Sequence, residues 1–114
     1  MTPRDRHITL IAYVHYARFI RDLRTAMAVR RAHPEIGDLG VMTPLGEPRR
    51  ITKSTPLAEI LADAMMELED LRAELGAKPF TAKQMQTADS FDSAVWDGLE
   101  HLYEGDGHDH RVTH

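Results

Sequence analysis

Apolar positions recur along the chain with helical spacing in three stretches, and breakers separate them. Residues 4–33 contain neither Gly nor Pro, and residues 57–75 are equally clean before Gly76 and Pro79. A third run from Phe80 is closed by Gly105 and Gly107. Long runs free of breakers, with breakers at their ends, read as helices. The first predicts a helix over about 4–32, with Ile8, Ala12, Tyr16, Phe19, Ile20, Leu23 and Met27 on its core face and Arg18, Arg21 and Arg24 on the other. Within it, Ile8–Val14 is apolar nearly all round. As a helix, such a segment needs burial on more than one side; its β-branched content also fits a short strand.

The second helix carries the cleanest pattern. Leu57, Leu61, Ala64, Leu68, Leu71 and Leu75 alternate steps of four and three, flanked by Ile60 and Met65. Thr55 is the expected N-cap with Pro56 at the first helical position, and Gly76 is the expected left-handed terminator. Under three heptads is too short for a stand-alone coiled coil, so the seam calls for neighbouring helices of a bundle.

The third helix opens on a capping box, Thr81 with Gln84, and Phe80 and Met85 are spaced for a hydrophobic staple. Its apolar face is Met85, Ala88, Phe91, Val95, Trp96, Leu99, Leu102 and Tyr103. A continuous helix would turn Asp92 into that face; the alternative is a break near Asp89–Ser90, one of which then caps a helix starting close to Phe91. Between the first two helices, residues 33–54 form a long connection with Val41–Thr43 and Arg49–Ile51 placed as a β-hairpin around Pro44–Pro48. The expected architecture is a mainly all-α domain over 1–104, a three- or four-helix bundle with a hairpin-bearing connection. A flexible polar tail is expected over 105–114.

Composition narrows the function classes. The chain has 114 residues and no cysteine, which removes disulfide scaffolds, thiolate metal sites and thiol catalysis. No apolar run approaches the roughly 20 residues of a membrane span and no signal peptide opens the sequence. The expected setting is the cytoplasm. Gly-x-Ser-x-Gly and Walker A patterns are absent, so nothing points to nucleophilic or phosphate-loop chemistry, and no cofactor is expected.

Charge changes the picture more. The net charge of −4 conceals ten basic and five acidic groups over residues 1–53 (+5), then four basic and thirteen acidic over 54–114 (−9). Such asymmetry bears on partners rather than on fold. Helix 2 aligns Glu59, Asp63, Glu67, Asp70 and Glu74 in one strip opposite its leucine seam, without a basic residue at i±4 on the strip. Three readings are open for it: a solvated face, a docking face for a basic surface, or one half of a divalent-metal site completed by Asp89 and Asp92. For the last, Glu67-x-x-Asp70 resembles one motif of the all-α nucleoside-triphosphate pyrophosphohydrolases, but their companion Glu-x-x-Glu is missing and the strip faces away from the core.

Arg18, Arg21 and Arg24, interleaved with Tyr13, His15, Tyr16 and Phe19, form a basic face suited to phosphate or to an acidic protein. The apolar quartet Ile8, Leu10, Ile11 and Val14 is the candidate self-association surface. His108, His110 and His114 form a polar cluster at the end of the chain, and Met66 stands off the leucine seam as a hint of a second contact surface. The sequence therefore points to a homo-oligomeric protein–protein interaction module with oppositely charged faces, an adaptor, assembly or regulatory factor. A nucleic-acid-binding regulator and a metal-dependent nucleotide hydrolase stand as alternatives, and enzymatic activity is not the expectation.

Overall fold

The computed structural model describes the backbone of residues 3–112 and the side chains of residues 4–100. The order of elements is α1 (Pro3–Ala32), β1 (Leu39–Met42), β2 (Pro48–Ile51), α2 (Leu57–Leu75) and α3 (Ala88–Val112). The strands pair antiparallel in the register Leu39 to Ile51 and Met42 to Pro48. Their turn is closed by Gly46 N–H donating to Thr43 O at 2.9 Å, with Gly46 at φ +84°. That left-handed conformation is the reason a glycine ends this turn. A two-stranded hairpin is marginal alone. Here it is anchored by Val41 and Ile51, both buried, and by the Arg30 guanidinium, which donates to Thr52 O.

α1 is the hub, and it is helical throughout, including Ile8–Val14. α2 runs antiparallel along one side: Arg6 Nη1 lies 3.4 Å from Leu75 O at the end of α2, while Met27 shares a cleft with Leu61 near its start. α3 runs antiparallel along another side, with Arg18 opposite Trp96 and Arg21 opposite Asp92. Among the described residues no Cα of α2 comes within 8 Å of one in α3. The helices therefore flank α1, where the sequence predicts a mutually packed bundle. The core runs through Ile20, Leu23, Ile51, Leu68, Phe91 and Leu99, all essentially inaccessible to solvent.

This arrangement shifts the buried arc of α1. The buried residues are Thr9, Leu10, Tyr13, Ala17, Phe19, Ile20, Leu23 and Ala26. Tyr16 and Met27 are partly buried against them, but Ile8, expected on the core face, is 55% exposed. The reason is that α1 takes partners over a wide arc, and the stripe holding Ile8 lies outside it.

α2 buries Leu57, Ala64, Leu68 and Leu75 as its seam predicts, with Leu61 and Leu71 partly buried. At its end, Gly76 at φ +71° donates to Ala73 O while Ala77 donates to Arg72 O, the double bond of a Schellman motif. At its start the expected cap is displaced by one residue. Pro56 occupies the N-cap position and Thr55 Oγ1 accepts from Thr52 N–H at 2.9 Å, tightening the approach turn rather than capping the helix.

The Thr81–Gln84 box forms, with Thr81 N–H donating to Gln84 Oε1 at 2.8 Å and Gln84 N–H to Thr81 Oγ1 at 3.2 Å. It encloses only one turn. α3 begins at Ala88 behind a second reciprocal box, in which Ser90 N–H donates to Thr87 Oγ1 at 3.0 Å and Thr87 N–H to Ser90 Oγ at 3.1 Å. Of the two alternatives the broken helix is the one found, but the break comes earlier than Asp89–Ser90 and its cap is Thr87. The intervening turn folds Phe80 onto Phe91, ring centroids 5.1 Å apart. The helical backbone runs to Val112, past Gly105 and Gly107 where the sequence predicts its end. The side chains of Leu102, Tyr103 and His108 to His114 lie outside the described residues.

Candidate functional site

Arg4, Ile8, Ile11, His15, Arg18 and Asp22 follow one another on α1 at steps of four and three, so they share a single stripe. That stripe is what α2, α3 and the hairpin leave uncovered: Arg4, Ile8, Ile11, His15 and Arg18 are exposed and Asp22 half-buried. Ile11 is 45% exposed. The hairpin and α3 rise on either side of its C-terminal half and enclose a cleft of about 380 Å³, with His15, Arg18, Arg21 and Asp22 as floor and Met42 and Trp96 on the walls. Met42 is 52% exposed and Trp96 45%.

Three contacts hold this geometry. His15 Nδ1 donates to Pro44 O at 2.9 Å, pinning the hairpin turn to α1. The Arg18 guanidinium carbon lies 5.8 Å from the Trp96 ring centroid, a cation–π contact that keeps the indole beside the groove. Arg21 bridges Asp22 at 3.2 Å and Asp92 at 3.4 Å, tying the floor to α3. Asp92 is thereby accounted for: it lies half-buried at the α1–α3 seam as the partner of Arg21.

The arginines expected as one outward face are thus divided. Arg18 is exposed, Arg21 is shared between two carboxylates, and Arg24 turns inward, its Nη2 donating to Met85 O at 2.6 Å. Arg24 Nη1 is buried without a protein partner among the described residues. The self-association quartet divides too. Leu10 belongs to the chain's own core and Val14 packs partly against it, which leaves Ile8 and Ile11 as the outward pair. Met42 and Trp96 are the members of this surface that sequence reasoning missed; only the packing of hairpin and α3 brings them there.

Glu59, Asp63, Glu67, Asp70 and Glu74 of the acidic strip are all exposed, with Asp63 and Glu67 bordering α1 at Tyr16 and Phe19. Met66, 68% exposed, stands among them. Asp63 and Glu67 share a shallow cleft with Arg49 of the hairpin. Asp92 pairs with Arg21, and Asp89 borders a cleft with Arg24, Met27 and Leu61 rather than with the carboxylates of the strip. Among the described residues no cluster of three or more metal-ligating side chains occurs.

A further cavity of about 500 Å³ lies between α1, the 76–84 segment and α3, lined by Tyr13, Lys78, Phe80, Gln84 and Asp97 among others. Burial pushes the Tyr13 phenol up to about 12, against the opposing pull of the nearby Arg72 charge. Tyr13 therefore stays a neutral hydroxyl at ordinary pH. Outside that cavity, Glu69 and Arg72 pair at 2.6 Å; the bond holds the Glu69 carboxyl below its usual range and raises the Arg72 guanidinium.

No helix among the described residues is long and apolar enough to cross a membrane. Comparison with protein-family models, with curated proteins and with solved structures found no match.

Proposed function

We propose that this chain is a protein–protein interaction module, an adaptor, assembly or regulatory factor, that works as a helical homo-oligomer with oppositely charged faces in the cytoplasm. One observation carries the reading. Ile8 and Ile11 on the uncovered stripe of α1, and Met42 and Trp96 in the cleft at its His15–Arg18 end, are each 45–55% exposed. Single exposed apolar residues are ordinary; a gathered set rimmed by charge marks a contact surface. The mixture of Trp, Met and Arg is also the composition enriched at protein interfaces.

The competing readings draw less support. A phosphate-binding face needs arginines with charge to spare, and two of the three expected ones are engaged within the fold. A metal-dependent hydrolase needs several carboxylates brought together, and among the described residues no three metal-ligating side chains cluster.

The test combines light scattering over a range of concentrations with affinity capture from the native host, using the natural chain and Ile11→Asp. Ile11→Asp is expected to abolish the assembly and any specific capture while leaving the helical circular-dichroism signal intact. A natural chain that is monomeric at every concentration and captures nothing specific refutes the proposal.

A further inference from the structure

The uncovered stripe of α1 has an internal order that identifies its occupant. From the N-terminus it reads basic, apolar, apolar, basic-aromatic, basic, acidic: Arg4, Ile8, Ile11, His15, Arg18, Asp22. Arg4 at one end and Asp22 at the other are about 27 Å apart at ~1.5 Å of rise per residue. A stripe that carries a basic group at one end and a carboxylate at the other can bring the two together when turned head to tail, with Arg21 sharing the carboxylate.

We infer that a second copy of this chain occupies the stripe, α1 packing antiparallel on α1 about a two-fold axis that passes between Ile11 and His15. The inference rests on the interaction-module reading and adds the partner and the register. In this arrangement Arg4 of each copy faces Asp22 of the other, Ile8 lies against the aliphatic stem of Arg18, and Ile11 meets His15. The steps of four and three give the knobs-into-holes spacing that such a pairing requires.

Electrostatics separates this register from its neighbours. Sliding by one heptad towards the N-terminus places Ile8 on Ile11 but sets Arg4 against His15. Sliding the other way sets His15 against Arg18 and buries Asp22 on Ile11. Parallel pairing stacks Arg4 on Arg4 and Arg18 on Arg18. Only the first register gives Arg4 a carboxylate across the contact: the slides leave Arg4 and Asp22 apart, the second also burying Asp22 on an apolar side chain, and the parallel pairing sets like charges against each other.

The walls of the groove fit the same register. Met42 and Trp96 flank the C-terminal half of the stripe, beside His15 and Arg18. The antiparallel dimer brings the N-terminal half of the second α1 between them, so the exposed faces of Ile8, Trp96 and Met42 are covered reciprocally. The contact is isologous and closes on itself. Docking the stripe on the acidic strip of α2 is the other use of the chain's charge. That contact joins two different surfaces and would propagate as a head-to-tail filament.

The decisive experiment is a charge exchange followed by light scattering and sedimentation, with circular dichroism as the folding control. The natural chain is expected to dimerise. Arg4→Asp is expected to weaken the dimer at least tenfold, Asp22→Arg by more because it also removes the pair with Arg21, and the double variant to bind more tightly than either single variant. As a second measurement, Ile11→Cys mixed with His15→Cys is expected to give a disulfide-linked heterodimer, which a chain without natural cysteine reports cleanly. A dimer indifferent to both single changes, or a double variant weaker than either single, overturns the register while leaving the interaction-module reading intact. A monomer that captures a foreign partner through Ile11 overturns this inference alone, and a monomer that captures nothing overturns both.

Discussion

The point at which α3 begins can be measured by comparing two threonines. Thr81 and Thr87 each head a reciprocal capping box, but the first box closes one turn and the second starts a helix of 25 residues. Thr87→Ala removes the acceptor for Ser90 N–H and frees one of the unpaired donors of the first helical turn, a loss of about 1 kcal/mol (range roughly 0.5–2). With a urea dependence of about 1–3 kcal/mol per molar, that moves the unfolding midpoint by roughly 0.3–1 M. Ser90→Ala is expected to cost more, because Ser90 Oγ both accepts from Thr87 N–H and donates to Gln84 O at 2.9 Å, fastening the preceding turn to the helix. Thr81→Ala leaves Met85 N–H donating to Thr81 O, so it is expected to cost less than half as much as Thr87→Ala. The assay is urea denaturation followed by circular dichroism, with amide exchange at Ser90 and Phe91 as the local reporter. If Thr81→Ala proves the more damaging change, α3 begins a full turn and a half earlier. Its phase, and with it the placing of Trp96 beside Arg18, would then be wrong.

Gly76→Ala is expected to destabilise by about 1–2 kcal/mol in the same assay. The added Cβ meets no atom within 4 Å, so the cost is the left-handed conformation alone. Ile51→Ala, at a fully buried position, is expected to cost about 2–5 kcal/mol, and the hairpin amides should lose exchange protection before those of α1. Tyr13 yields a pH dependence. Its folded value of about 12 lies above the ordinary value of 10.0, so the neutral phenol's contribution is complete below pH 10 and is lost as pH rises through 12. Phenolate absorbance should show a last ionising step near pH 12 that Tyr13→Phe removes; an unchanged titration curve would contradict the buried placement.

Legibility in the sequence followed how many partners each element has. α2 meets the rest of the fold along one seam, so its four–three pattern, its Gly76 terminator and its outward acidic strip could all be read directly. The hairpin was legible from punctuation, because Gly46 and the flanking prolines leave few other uses for the segment. α1 was legible as a helix but not in its facing. Apolar residues surround it at Ile8–Val14, and only the positions of its neighbours decide that Leu10 is buried while Ile8 is not. Arg21 and Arg24 were misplaced for a related reason. Long basic side chains can run their stems over a core and reach a distant acceptor, and no local spacing announces Asp92 or the Met85 carbonyl. The start of α3 was obscured by two consecutive boxes, of which the Thr–Gln one matches the familiar signature and the Thr–Ser one does not. The candidate surface was half visible, through Ile8, Ile11 and Arg18; its walls were not, since Met42 and Trp96 arrive from remote segments.

The separation of α2 from α3 also bears on how the chain acquires its structure. α2 and the hairpin meet α1 through residues that all precede residue 88. Loop length does not separate the two flanks, since Arg6 to Leu75 spans 69 positions and Arg21 to Asp92 spans 71. The order of synthesis does, because α3 is made last. A nascent chain can therefore assemble α1, the hairpin and α2 as a unit while α3 is still being synthesised. Until α3 arrives, that unit shows solvent the flank of α1 that α3 later meets at Tyr13, Arg18 and Arg21. Truncations before residue 88 are expected to express as insoluble material even though every residue of the first four elements is present.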